Sequence, residues 1–550
     1  MKCFRANKGG GPAGSFTLTQ TQSCGEALVR LLEDYGVEIV FGVPGVHTLE
    51  LYRGLVASPI RHVLVRHEQG AGFMADGYAR ATGRPGVCFL ITGPGVTNAA
   101  TPMAQAYSDS VPMLVISSVN PLETLGKGWG ELHELSDQRA VTAPFTAFSA
   151  SVRAPGEIPG LIARAFEVFD SARPRPVHIE IPIDLFPEPV AEAWTAEASA
   201  AKPEPDGAEI ATAVALLAAA ERPLLYLGGG AKSAAAPLRD IAEKLAAPVV
   251  TTVAGIGVFP VRHPLSLGPT LPSEAVRACV AEADVVLAVG SELSVNDTWG
   301  GRPEFSGRLI RIDIDPAQLN DRTPAAIGIR GDALLGAEAI AAGLREEAGA
   351  NRRAAAERLV AETLEAFRAT FSADEEARVR VLDEIVGAVP ADSLFVGDMT
   401  QIAYTAYSTL PLDRPGRLMF PKGYGTLGYA LPAAIGAKLG APETPVIALV
   451  GDGGLLYTVQ EMAAAADEET PVVVILWNNE ALGEIRDGFI ARGIEPIATA
   501  PRQPDFLALA RSFGWRAERA GDAAALRGQL QNALAAPGPT LIELKESDFL

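Results

Sequence analysis

Asp452 and Asn479 are the residues of this chain whose types and spacing most plainly suggest chemistry. Asp452 stands in Gly451-Asp452-Gly453-Gly454, directly after the apolar run Val446–Val450. Asn479 follows Asn478, directly after the apolar run Val472–Trp477. One side chain offers a hard anionic oxygen and the other a neutral amide oxygen. Mg²⁺ suits such a pair, because it is commonly held by one or two carboxylates together with substrate phosphates. The glycines let the backbone approach a bulky anion closely. The stretch reads as a metal–diphosphate cradle. Gly-Asp-Gly alone is also ordinary turn chemistry, so the argument rests on the whole order: strand, glycine turn, helix, strand, amide pair.

That order dictates the elements that must position the pair. The two apolar runs read as buried strands, and Leu455–Ala466, Ala-rich and free of Gly and Pro, reads as the crossover helix between them. The result is a βαβ unit with parallel, neighbouring strands. Ligands in open α/β sheets gather past the strand carboxyl ends, which is where Asp452 and Asn479 fall.

The same alternation extends along the chain. Residues 17–190 hold strand patterns at Val37–Phe41, His62–Val65, Gly86–Ile91, Met113–Ser117 and Val177–Ile183. Helical patterns at Ser23–Tyr35, Gln69–Ala81 and Ala99–Ser108 lie between them. Pro187–Ala208, rich in Ala, Glu and Pro, reads as a linker. A second α/β pattern covers 205–345, with strands at Pro223–Leu227, Val249–Thr252, Val285–Val289 and Leu309–Ile314. Residues 346–378 read as a helical connection, and a third α/β segment covers 379–550. The expected fold is α/β, with three doubly wound parallel-sheet domains.

Composition removes several classes of function. Sixty-six acidic against 46 basic residues give a formal charge of −20, which makes nucleic acid and anionic membranes poor partners. A hydrophobic fraction of 48% with 20% charged residues belongs to a globular chain with sizeable cores. Cys3, Cys24, Cys88 and Cys279 form no CxxC pair, which speaks against a zinc site or disulfide framework and for a reducing compartment. The Gly-rich N-terminal tail lacks the apolar centre of a secretory signal, and no apolar run approaches the roughly 20 residues of a membrane span. A cytoplasmic location is expected.

Asn479 follows Asp452 by 27 positions, and GDG with NN at that distance resembles the thiamine diphosphate fingerprint. Beyond the tail the chain resembles thiamine diphosphate enzymes of the acetolactate synthase, pyruvate decarboxylase and benzoylformate decarboxylase group. Phe41–Gly45 (FGVPG), Arg66–Arg80, Thr92–Asn98 (TGPGVTN) and Arg173–Leu185 carry the likeness in the first segment. Val249–Pro260, His263–Gly268 and Ile310–Pro316 carry it in the second, and Tyr424–Gly440 in the third. The resemblance implies pyrimidine-binding, middle and diphosphate-binding domains, thiamine diphosphate with Mg²⁺, and a 2-oxo acid substrate. It also implies a homodimer or homotetramer with active sites between subunits.

Roles follow position by position. Glu68 matches the family Glu that contacts the cofactor's pyrimidine nitrogen and promotes removal of the thiazolium proton. Leu427 matches the bulky residue beneath the cofactor. Thr400 and Gln401 occupy the diphosphate-contacting loop, although the usual His-Gln is absent. Ala481 supplies the backbone carbonyl that joins Asp452 and Asn479 on the metal. Gly425, Gly451, Gly453, Gly454, Leu482 and Gly483 complete the expected cofactor contacts.

Departures from the family bear on the reaction. Acetolactate synthases carry an Arg-Phe-Asp-Asp-Arg stretch at a flavin site, whereas the segment after Val285–Val289 here reads GSELSVNDTWGG, so FAD is not expected. Their specificity Trp after NN is missing, as is the adjacent His-His pair of pyruvate-type decarboxylases. Within the group the chain most resembles 2-ketoarginine (5-guanidino-2-oxopentanoate) decarboxylases, through Gly42–Leu55, Arg66–Arg80, Leu132–Ala140 and Ile494–Pro496. A guanidinium substrate calls for a carboxylate fork; Glu484, Asp487 and Glu495 are candidates, and His47 is a candidate proton relay near the cofactor. The expected products are 4-guanidinobutanal and CO₂. Acetolactate synthase-like carboligation of two 2-oxo acids is the alternative, and a non-catalytic cofactor-binding protein a distant one.

Overall fold

A computed structural model describes residues 22–299, 301–345 and 349–550 of the protein. The N-terminal tail with Cys3, and positions 17–21 of the first segment, lie outside the described residues.

Apolar runs too short for helices and buried on both faces form three six-stranded sheets, each wholly parallel. The first places its strands in the order Arg61–Leu64, Ile39–Gly42, Gly86–Leu90, Met113–Val119, Val177–Pro182, Phe148–Ser151. The third runs Leu418–Met419, Leu394–Gly397, Val446–Gly451, Val473–Asn478, Thr540–Lys545, Arg516–Ala520. Numbered within each sheet, both orders are 2-1-3-4-6-5. The middle sheet, from Ser266–Gly268 through Val249–Thr251, Pro223–Leu227, Val285–Val289 and Arg308–Asp313 to Ile327–Arg330, is instead 3-2-1-4-5-6, the order common among dinucleotide-binding folds.

The expected strands recur within two residues of their expected ends, and Val446–Gly451 pairs directly with Val473–Asn478. Six strands of these sheets escaped the sequence pattern, among them Leu418–Met419, Arg516–Ala520 and Thr540–Lys545 of the third sheet and three in the other two. Phe148–Ser151 is half-buried and polar at alternate positions, Ser266–Gly268 is only three residues long, and Ile327–Arg330 lies at a sheet edge. The expected helix Leu455–Ala466 is two helices, Asp452–Thr458 and Glu461–Asp467. Between them the chain keeps helical dihedrals but closes tighter bonds, Met462 N–H to the Val459 carbonyl and Ala463 N–H to that of Gln460. The linker contributes one short pairing, Pro189–Val190 against Gln22–Ser23. The helical connection is Ala350–Arg368 followed by Ala373–Ala388, the second opened by a Ser372–Glu375 capping box.

One crossing ties the first sheet to the third. Helix Glu68–Thr82 lies against helix Ala430–Gly440, with Gly77 on the Ala433 carbonyl and Gly436 on the Met74 carbonyl. A Cβ at either glycine would collide with backbone, so only glycine permits this approach. Tyr429 donates from its hydroxyl to Asp76 Oδ1 at 2.6 Å, and Arg80 bridges Asp76 and Asp109 at 2.6 and 2.7 Å. A single hydrophobic core runs through both domains here, from Phe41 and Met74 to Ile435 and Leu476, while the middle domain has cores of its own.

Candidate active site

Asp452 sits where strand Val446–Gly451 gives way to helix Asp452–Thr458, and its side chain is 2% exposed. Burial pushes its carboxyl up to about 6, against the opposing pull of the Gly453 and Ala481 amides. Its Oδ2 is buried without a hydrogen-bond partner. A buried carboxylate oxygen without a donor costs free energy unless a cation satisfies it.

The amide pair divides its work. Asn478 turns inward and donates to Glu543 Oε1 at 2.7 Å, anchoring the strand end. Asn479 turns the other way: its Nδ2 donates to Gln401 Oε1 at 3.2 Å, and its Oδ1 accepts the Ala481 N–H at 3.1 Å. Glu480, between them, takes the left-handed conformation (φ 55°) that reverses the chain.

Glycines draw the neighbouring loops together. A Cβ at Gly451 would lie 2.8 Å from Thr400 Oγ1, and one at Gly453 would lie 2.8 Å from Leu482 Cδ2. A Cβ at Gly483 would meet both Asn479 and Gln401. Thr400, Gln401, Gly451–Gly454, Asn479, Ala481, Leu482 and Gly483 therefore form one cluster. Leu427 stands partly exposed between Gly425 and Gly428, whose φ values of 71° and 78° lift it out of the surrounding chain. Gly454 approaches Asp398 as well.

Asp398 was not among the expected residues. Fully buried at the end of strand Leu394–Gly397, it accepts the N–H groups of Met399, Gly428 and Ala430 at 2.8 to 3.2 Å. Burial pushes its carboxyl up to about 6. It holds the Leu427 loop against the strand. The available signal was its place, a lone acid directly after an apolar strand.

Glu68 opens helix Glu68–Thr82 in the first domain, after the N-cap His67, whose Nδ1 accepts the Gln69 N–H. Asn98 Nδ2 donates to Glu68 Oε2 at 2.9 Å, which leaves Oε1 facing the Gly95 turn. Among the described residues no hydrogen bond joins Glu68 or His47 to the Asp452 cluster. His47 lies edge-on to His133 with ring centres 5.5 Å apart, and its Nδ1 is buried without a partner. Burial and then His133 hold its pKa below the usual imidazole value. His133 itself sits at φ 62°. The chain thus brings together two histidines that lie 86 positions apart in sequence.

The guanidinium candidates separate. Glu484 opens onto a cavity bordered by Gln401. Asp487 accepts from Gln401 Nε2 at 3.3 Å. Glu495 is exposed in the coil after helix Gly483–Ala491 and lies outside that cavity.

Comparison with known proteins bears on this geometry. Three thiamine pyrophosphate enzyme profiles match in order: the N-terminal TPP binding domain over residues 22–141, the central domain over 210–340 and the C-terminal TPP binding domain over 397–544. A probable 2-ketoarginine decarboxylase, AruI, of Pseudomonas aeruginosa is 53% identical, covering 96% of this chain and 95% of the relative. The chain belongs to the thiamine pyrophosphate enzyme family. Two further members match at lower identity. The acetolactate synthase isozyme 1 large subunit of Escherichia coli is 35% identical over 94% of this chain and 93% of its own. A probable acetolactate synthase large subunit of Methanocaldococcus jannaschii is 32% identical over 94% and 91%. The family's N-terminal and C-terminal domains correspond to the two sheets of like strand order, and its central domain to the sheet between them.

The glycines after strand Pro223–Leu227 have a packing reason in this fold. Gly228 and Gly230 lie against the backbone of Gly290 so closely that neither has room for a Cβ. Among the described residues, no helix is long and apolar enough to cross a membrane.

Proposed function

We propose that the protein is a thiamine diphosphate- and Mg²⁺-dependent decarboxylase that converts 5-guanidino-2-oxopentanoate into 4-guanidinobutanal and CO₂. The observation that carries this reading is the 53% identity, over nearly the whole of both chains, with the relative named for 2-ketoarginine decarboxylation. When bound, the cofactor supplies the electron sink that lets a 2-oxo acid lose CO₂.

The residues of the third domain fit that group. The orphaned Oδ2 of Asp452, the Asn479 amide oxygen and the Ala481 carbonyl would hold Mg²⁺. Among the described residues, no three His, Cys, Asp or Glu side chains gather to hold a metal by themselves, which suits an ion that also takes oxygens from a diphosphate. The Gly451–Gly454 turn and Thr400 would line that diphosphate, with Gly425, Leu482 and Gly483 shaping the wall and Leu427 supporting the ring system. In the first domain Asn98 fixes one oxygen of Glu68, so Oε1 is the atom we assign to share a proton with the pyrimidine. His47 is positioned by His133 to deliver a proton to the product.

Glu68 and Asp452 belong to different domains, and the family resemblance places such a pair across a subunit boundary, so the assembly we infer is a homodimer or homotetramer with sites between subunits. Cys24, Cys88 and Cys279 are free thiols, in keeping with the cytoplasm. The test supplies purified protein, thiamine diphosphate and Mg²⁺ with a panel of 2-oxo acids. Release of CO₂ and aldehyde from the guanidino acid is the expected result. Condensation of pyruvate without CO₂ release from the guanidino acid would favour the carboligase reading suggested by the 35% identity with acetolactate synthase.

A further inference from the structure

A cavity of about 300 Å³ opens between the middle domain, the connecting helices and the third domain. That volume lies at the small end of the roughly 300–1,000 Å³ usual for small-molecule sites. Its walls are aromatic: Trp299 comes from the middle domain, Phe367 and Phe371 from the connection, and Tyr404 and Tyr407 from the helix after Thr400. Trp299 and Tyr404 meet edge to face with ring centres 5.7 Å apart.

Two carboxylates face into it, Glu375 and Glu484. Glu375 receives the Ser372 N–H through one oxygen at 2.8 Å. Glu484 has no hydrogen-bond or ion-pair partner among the described residues. Burial, then Asp487, push its carboxyl above the ordinary range, and Arg378 pulls the other way. Arg378 lines the cavity too, but its Nε is committed to Thr405 Oγ1 at 3.1 Å and its side chain is buried. Lys422 lies 4.8 Å from the centre of the Trp299 ring, so that ring already accepts a cation on one face.

We propose that this cavity receives the guanidinium end of the substrate. A planar cation bonds a carboxylate in two parallel directions and stacks on aromatic rings, and this cavity offers both. Glu484 is the fork, Glu375 completes the negative charge, and Tyr404 is the stacking face. The cavity adjoins the site through Gln401, which borders it and bonds Asn479 on its other side. The assignment rests on the decarboxylase reading of that site. It makes the connecting helices, which carry none of the expected cofactor residues, part of substrate choice.

The experiment has two arms. The first compares kcat/KM for 5-guanidino-2-oxopentanoate and for 2-oxohexanoate, whose side chain carries no charge, in the wild type, Glu484→Gln and Glu375→Gln. The ratio of the two constants is expected to fall at least tenfold in Glu484→Gln and less in Glu375→Gln, where glutamine retains the helix cap. An equal change for both substrates overturns the assignment. The second arm measures binding of propylguanidinium alone by calorimetry. Binding by the wild type that weakens at least tenfold in Glu484→Gln supports the cavity even if the wild type fails to release CO₂ from the guanidino acid, an outcome that would sink only the decarboxylase reading. Absence of binding by the wild type, or equal binding by the variant, overturns it.

Discussion

Both carboxylate oxygens of Glu461 accept the backbone N–H of Arg66, at 3.2 and 3.1 Å, across 395 positions of sequence. Glu461 is fully buried, and Gly70 packs on it so closely that a Cβ there would strike the carboxyl carbon. The third domain thus grips Arg66, two residues before Glu68, and the first turn of its helix. Glu461→Ala is expected to leave the Arg66 amide without an acceptor and the residues before Glu68 without their support, at a cost of about 1–3 kcal/mol in stability. Because Glu68 moves with them, kcat should fall more than KM changes, and Glu461→Gln, which keeps an acceptor oxygen, should restore most of it. A stability loss with unaltered kcat would leave Glu461 a merely structural residue.

Burial also gives Glu461 a pH signature. Its carboxyl is pushed from the ordinary 4.5 to about 7, mainly by desolvation. The folded protein therefore holds this proton more tightly than the unfolded chain, and stability declines as pH climbs from about 4.5 to about 7. Thermal unfolding midpoints at pH 5 and pH 8 should differ less in Glu461→Gln than in the wild type.

Glu68→Gln keeps the shape of the side chain and its contact with Asn98 but removes the ionisable proton. Turnover is expected to fall by roughly 10²–10⁴, the range typical of a lost acid–base group. Cofactor binding, followed by fluorescence quenching or calorimetry, should stay within a few-fold of the wild type. Undiminished turnover would remove Glu68 from the mechanism.

Asp452→Asn replaces the orphaned anionic oxygen by a neutral group. The Mg²⁺ concentration needed for half-maximal cofactor binding should rise at least tenfold, since the cation loses the one carboxylate of the described cluster. Without metal, the apoprotein of this variant should be at least as stable as that of the wild type, because the buried charge is gone. Titration with Mg²⁺ at fixed thiamine diphosphate checks the first, and thermal melting in a chelator the second.

The helix crossing makes a sharper structural prediction. At Gly436 an added Cβ would strike the Met74 carbonyl, which cannot swing aside as a side chain could. Gly436→Ala is expected to cost at least about 2 kcal/mol through overpacking, measured by denaturant unfolding, and to lower kcat through the displaced start of helix Glu68–Thr82.

Much of this was legible in the chain itself. Apolar runs such as Val446–Val450 and Val285–Val289 carry their strand signal locally, and the strand–turn–helix–strand order around Asp452 and Asn479 was enough to bring their strand ends side by side. What could not be read was of two kinds. Phe148–Ser151 is a strand only because Val177–Pro182 lies ready to pair with it. Glu461 reads as one charge in an Ala-rich helix, and its meaning comes from the Arg66 amide, 395 positions away. Asp398 and His133 are likewise given their places by partners outside their own segments. The break in the expected helix Leu455–Ala466 belongs here as well: Thr458 turns its hydroxyl to the Gly428 carbonyl, a partner outside its own segment.

The first and third sheets share their strand order, and the helices that cross, Glu68–Thr82 and Ala430–Gly440, each lie between the second and third strands of their own sheet. The crossing therefore joins like to like, across an approximate twofold axis inside a single polypeptide. Two copies of one architecture have specialised in opposite directions. One begins the shared helix with an acid, while the other places its acid and amides at strand ends beyond it. Exchanging either half for a duplicate of the other would preserve the symmetry and abolish the complementarity, leaving a body with two acids that open helices and no Asp452–Asn479 cluster, or two such clusters and no opening acid.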